Sequence, residues 1–158
     1  MTSSEIRPAT FDDLPGIQKM MVTGFAATGY ADLAPYDPQS GEAVLKGLIV
    51  AENAVVLVAV EAAGLVGLLV AVVVPYPWNG SISIAQQLLW WVEPACRTGA
   101  GRRLLAGMEE WAIAKGAKLL ASSCNEAIGG ERATEVYRRR FGFRPIERHV
   151  LKGLMQCP

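Results

Sequence analysis

Three runs between residues 55 and 92 constrain this chain most. Val55–Val60, Leu65–Val74 and Ile82–Val92 are apolar and rich in β-branched residues. Glu61-Ala62-Ala63-Gly64 separates the first two, and Pro75, Pro77 and Asn79-Gly80 separate the second from the third. Runs of this length, bounded by such turn residues, fold as hairpin-linked strands rather than as helices. An antiparallel block of three strands is therefore expected, and the rest of the chain must cover it. The most membrane-like stretch, Ala62–Pro75, contains Gly64 and Gly67 and falls short of the about 20 apolar residues of a membrane helix. No membrane partner is expected.

The pattern changes after Pro94. Leu104, Leu105, Met108, Trp111 and Ala112 fall on one face of a helix, with Gly116 as its stop. Leu119–Cys124 is strand-like, and Gly129-Gly130 opens a further helix with Ala133, Val136 and Tyr137 inward, halted by Gly142. Phe143–Leu151 supplies one or two closing strands. At the other end, Ile6–Thr10 is a short strand, and Leu14, Ile17, Met21 and Phe25 recur at helical spacing behind a cap at Thr10 or Asp12. A loop over Ala26–Pro38 precedes a second helix, capped by Ser40, with Val44, Leu45, Leu48 and Ile49 apolar. The order β-α-α-β-β-β-α-β-α-β-β gives an α/β fold. Its central sheet is mixed and mostly antiparallel, flanked by helices, with one parallel crossover over residues 87–124.

With 158 residues, 51% of them hydrophobic, the chain has material for one domain over 1–158. Charged residues make up 19%, below the average of about 25%, which leaves room for a homodimer interface. Fifteen Lys and Arg offset fifteen Asp and Glu, so no basic field draws the chain to nucleic acid and any anion site must be local. Cys96, Cys124 and Cys157 match no metal spacing, and His149 is the single histidine, so no metal site is expected. Glu5 stands where a signal peptide would turn apolar, and a reducing cytoplasm is the expected compartment.

The chemistry concentrates in Val92-Glu93-Pro94-Ala95-Cys96-Arg97-Thr98-Gly99-Ala100-Gly101-Arg102-Arg103. A strand ends, a small-residue loop follows, and a helix begins. Glycines let backbone approach a ligand, and the N–H groups of a helix start can hold phosphate oxygens. Arg97, Arg102 and Arg103 face the positive end of the helix dipole, a conflict that a bound polyanion would relieve. The competing reading has the arginines extending into water and the glycines merely turning the chain. The segment completes neither GxxxxGK[ST] nor GxGxxG, and its strand comes third in an antiparallel block.

The chain resembles the GCN5-related N-acetyltransferase (GNAT) superfamily. The likeness lies in this loop preceded by Val-x-Pro, in Ala133-x-x-x-Tyr137 followed by Gly142-Phe143, in Asn125 after the intervening strand, and in the Ile6–Thr10 opening. Counted back from the glycines, the family's Arg/Gln position is Cys96; counted forward from Pro94 it is Arg97, with a loop one residue short. The resemblance implies acetyl-CoA as co-substrate. Backbone N–H groups from Thr98, Gly99, Ala100, Gly101, Arg102 and Arg103 would hold its pyrophosphate. Its pantetheine would lie along the Trp91, Val92, Glu93 edge, and Asn125 would also face the cofactor.

It implies, too, that Tyr137 gives a proton to the departing thiolate, a role a phenol can fill; the alternative is a packed core tyrosine. Glu93 is the candidate general base, with Glu126 behind it, because Gln86 and Gln87 occupy the matching strand and cannot serve. Trp78, Tyr30 and Tyr36 are candidates for the acceptor side. The activity implied is transfer of acetyl to a primary amine on a small molecule or peptide. The alternatives are an acyl-CoA-binding module without turnover and a binder of another phosphate ligand.

Overall fold

The computed structural model describes residues 4–96 and 99–154. The chain packs as two compact units, one from Met1–Met21 and Asp37–Ser122, the other from Val22–Tyr36 and Ser123–Pro158.

The first unit holds a five-stranded sheet in the order β1-β2-β3-β4-β5. The strands are β1 (Glu5–Pro8), β2 (Ala54–Glu61), β3 (Gly64–Tyr76), β4 (Asn79–Val92) and β5 (Leu119–Ala121). The first four pair antiparallel, and β4 pairs with β5 in parallel. The three hairpin-linked strands stand where the β-branched runs place them. Ala54–Ala59 is buried without alternation, so β2 is covered on both faces, and this explains why its sequence is apolar throughout.

Helix α3 (Ala100–Ala114) makes the crossover from β4 to β5 and packs across β1 to β4. Its buried stripe is Ala100, Leu104, Leu105, Met108 and Ala112, each large side chain contributing about 1.5–3 kcal/mol by leaving water. Trp111, expected on that stripe, is only half-buried. The helix can lie close because glycine stands beneath it. A β-carbon on Gly67 would be 2.9 Å from Leu104 Cδ1 and 3.4 Å from the Trp91 carbonyl oxygen.

Helix α1 (Leu14–Ala27) begins in this unit behind a short 3-10 turn at Phe11–Asp13. The Thr10 amide donates to Asp13 Oδ2 at 2.8 Å, and the Arg7 guanidinium grips both Asp13 oxygens at 2.7 and 2.8 Å. Chiefly through that Arg7 hydrogen bond, the Asp13 carboxyl is lowered to about 2. Helix α2 (Pro38–Val50) is capped by Asp37, not by Ser40: Asp37 Oδ1 accepts the amides of Gln39 and Ser40 at 3.0 and 3.4 Å. Pro38 at the first helical position, where no N–H is needed, fixes that start.

The second unit contains the end of α1, the loop to Tyr36, helix α4 (Gly130–Phe141) and the segment after it. Within α4 Tyr137 is buried, but Val136, expected inward, is 44% exposed. Neither closing strand forms among the described residues 142–154. Pro145 lacks a donor, and Ile146, Val150 and Leu151, the apolar residues that suggested strands, lie exposed. No helix of the described residues is long and apolar enough to cross a membrane.

Candidate functional site

The candidate residues fall into two sets. Trp91, Val92, Glu93 and Gly99 to Arg103 belong to the first unit; Asn125 and Tyr137 belong to the second. Arg97 and Thr98, and Cys157, lie outside the described residues.

In the first unit, β4 and β5 form a fork. Their pairing runs Ile84↔Leu119, Ala85↔Leu120, Gln86↔Ala121 and stops, while β4 continues to Val92. At the next position side chains take over, and the Ser122 hydroxyl donates to Gln87 Oε1. Leu88 then makes a bulge against β3, where Val70 pairs with Leu89 but Ala71 with Gln87. A bulge re-aims the strand that carries it. Further along, the Glu93 amide donates to the Val66 carbonyl at 2.9 Å. Alternation in an antiparallel pair then turns the backbone N–H groups of Trp90 and Val92 away from β3.

The start of α3 rests on this same stretch of β4. A β-carbon on Gly101 would be 3.3 Å from Trp90 Cζ2 and 3.6 Å from Val92 Cγ2. Glycine is what allows the helix terminus so near the strand edge. The amides of Ala100, Gly101 and Arg102 have no partner within α3 itself, and the first turn carries no acidic side chain. This is an arrangement that suits an anion.

Arg103 is engaged differently from the expectation. Its amide donates to the Gly99 carbonyl at 3.2 Å. Its guanidinium reaches Ser4 Oγ at 2.9 Å, and Ser4 donates to Glu61 Oε1 at 2.8 Å. That chain ties the first turn of α3 to the ends of β1 and β2. Arg102 remains exposed at the terminus. Trp91 is buried and its Nε1 donates to Glu93 Oε1 at 3.4 Å. The Glu93 carboxylate therefore already has a partner, and its amide is in the sheet.

In the second unit, Gly142 closes α4 in the left-handed conformation, with φ 71°. The chain turns back so that Phe143 meets the Tyr137 ring edge-on at 5.4 Å, with Phe141 at 6.2 Å. The Gly142-Phe143 pair thus fixes the tyrosine ring. Asn125 is committed at both ends of its amide: Nδ2 donates to the Thr28 carbonyl at 3.1 Å and Oδ1 accepts the Ala127 amide at 2.9 Å. It fastens the loop after α1 to the turn before α4. Burial pushes the neighbouring Cys124 thiol up.

Among the other candidates, Tyr36 stacks on Phe25 at 5.4 Å, whereas Trp78 is 87% exposed at the β3–β4 turn. Glu126 lies 3.8 Å from Arg148, and His149 is exposed beside Glu147. The residues that sequence reasoning passed over are Ser122, in its role as clasp, and the Leu88 bulge. The signal was that Gln87 and Ser122 are polar residues within two strand-like apolar runs.

No protein-family model matches the chain, and neither does any curated protein. Solved structures do match over nearly its whole length. An acetyltransferase of Trypanosoma brucei is 20% identical with a TM-score of 0.74, over 96% of this chain and 99% of that one. An aminoglycoside N-acetyltransferase in complex with CoA is 17% identical with a TM-score of 0.76, over 99% and 97%. A transcriptional regulator from Bacillus halodurans is 21% identical with a TM-score of 0.71, over 93% and 99%. The chain has the fold of the GNAT acetyltransferases.

Proposed function

We propose that this protein is an N-acetyltransferase that moves acetyl from acetyl-CoA to a primary amine. One observation carries the reading: β4 parts from β5 after Gln86, and the N-terminal amides of α3 rest on the same open stretch of β4. The edge of β4 beyond β5 can receive the amide groups of pantetheine through backbone hydrogen bonds. The helix terminus takes the pyrophosphate through Ala100, Gly101 and Arg102, joined by Gly99 and, from the adjoining loop, Arg97 and Thr98. Arg103 acts by holding the first turn to Ser4 and Glu61. The CoA in a neighbour of the same fold supports this co-substrate.

In the reaction, the amine nitrogen bonds to the acetyl carbon and the carbon–sulfur bond breaks. Tyr137 gives its phenolic proton to the departing sulfur. The nitrogen loses its proton to solvent, from which the phenol is restored. Glu93, held by Trp91, and the amides of Gln86 and Gln87 leave the fork poor in bases, so an amine that arrives neutral suits it best. The same poverty favours, as second reading, a module that binds acyl-CoA without turning it over.

The acceptor of first choice is an amino sugar, because aminoglycosides are the acceptors named in several structures of this fold. The test is free-thiol release from acetyl-CoA against a panel of aminoglycosides, polyamines, amino acids and peptides. Amine-dependent release that drops in Tyr137→Phe, with CoA affinity kept, is the expected result. Binding without release on any amine would leave the second reading standing, and full activity in Tyr137→Phe would remove the tyrosine from the reaction.

A further inference from the structure

The proposed reaction leaves one polar device at the fork without a task. Gln87 and Ser122 occupy the next paired position after Gln86↔Ala121, yet they join by side chains. The Ser122 hydroxyl donates to the Oε1 end of the Gln87 carboxamide. The other end, Nε2, carries two N–H donors, and no described residue accepts from it. Gln87 is half-buried, so this donor is neither sealed in the core nor free to wander in solvent. It stands beside Leu88, where the bulge turns β4 away. A preorganised neutral donor at such a point suits an oxygen on which negative charge builds.

Resting on the acetyl-transfer reading, we propose that Gln87 Nε2 donates a hydrogen bond to the thioester carbonyl oxygen of acetyl-CoA, with Ser122 as the positioning residue that orients it. When the amine attacks, the carbonyl π electrons move onto that oxygen and the bond strengthens. When the carbon–sulfur bond breaks they return, and the donor keeps its proton throughout. The acetyl group, and not the CoA body, is what Gln87 reads.

The test is the infrared carbonyl stretch of acetyl-CoA labelled with carbon-13 at the carbonyl, bound to the full-length protein. A hydrogen bond lowers that frequency. The parent protein is expected to shift the band below that of free acetyl-CoA. Gln87→Leu should return it toward the free value and slow thiol release about 100-fold, the low end of the range for one lost oxyanion donor. Gln87→Glu keeps the acceptor for Ser122 but replaces the donor, and should also lose the shift. Ser122→Ala should lose part of it, and Ser122→Thr should restore it. CoA, which has no carbonyl there, should bind parent and variants alike.

An unaltered band in Gln87 variants that still bind acetyl-CoA would overturn the assignment while leaving the acetyltransferase reading intact. If neither Gln87 variant folds, the Ser122 pair decides, and equal bands in Ser122→Ala and Ser122→Thr overturn it. Failure of the parent protein to bind acetyl-CoA would bring down both.

Discussion

Helices α3 and α4 begin alike, each after a glycine, and treat charge in opposite ways. α4 follows its dipole: Glu131 sits in the first turn, and Arg138, Arg139 and Arg140 sit in the last. The Glu126 carboxylate reaches its start, with Oε2 2.5 Å from where a β-carbon on Gly130 would stand. α3 has no acid in its first turn and places Arg102 and Arg103 there instead. Glu61, through Ser4, answers Arg103. Among the described residues, no acidic side chain answers exposed Arg102. The charges of α4 are thus accounted for by the stability of α4 itself. Those of α3 run against its stability, a cost that a bound anion would offset.

The contrast can be broken most severely at the two residues proposed to act. Tyr137→Phe should cut amine-dependent thiol release about 100- to 10,000-fold, the range of a lost general acid, with CoA affinity kept. Gly101→Leu should drive a side chain into Trp90 and lift the first turn of α3. The loss of charge-assisted contacts there should weaken CoA binding about 10- to 100-fold in calorimetry.

Charge substitutions sharpen the comparison. Arg102→Glu should weaken CoA while making the free protein more stable by about 0.3–1 kcal/mol in urea unfolding, because it agrees with the dipole. The mirror change, Glu131→Lys, should destabilise by a similar about 0.3–1 kcal/mol and leave CoA affinity unchanged. The smallest effect is at Glu135, whose hydrogen bonds to Arg138 and Arg139 lower its carboxyl to about 2. Its stabilisation is complete above the ordinary carboxylate range and is lost as pH falls through about 2. The melting-temperature gap between the parent and Glu135→Gln should therefore be present at neutral pH and close in strong acid.

What the sequence disclosed follows from range. The three strands were legible because period and turn chemistry are local, and α3 because Leu104, Leu105 and Met108 repeat on one face. The start of α2 was misassigned to Ser40 because the Asp37-Pro38 signal sat inside an apparent loop. Closing strands were expected after Phe143 because apolar residues recur there, but recurrence supplies no partner strand, and Ile146 and Val150 are exposed. In the candidate site, the glycine loop was proposed from its residues and Tyr137 from the family resemblance. The fork was not, because it depends on β5 ending at Ala121 and on Ser122 meeting Gln87 across the whole α3 crossover. Asn125, expected to face the cofactor, also holds two backbone groups through its amide, a role that depends on Thr28 being brought near it by the fold.

The central claim is that the end of β4 and the start of α3 together hold CoA. It is tested most directly by titrating CoA into the parent protein, Arg102→Glu and Glu131→Lys in a calorimeter. One saturable site, weakened by Arg102→Glu and untouched by Glu131→Lys, is the predicted result. No binding to the parent protein, or the same affinity in all three, would contradict it.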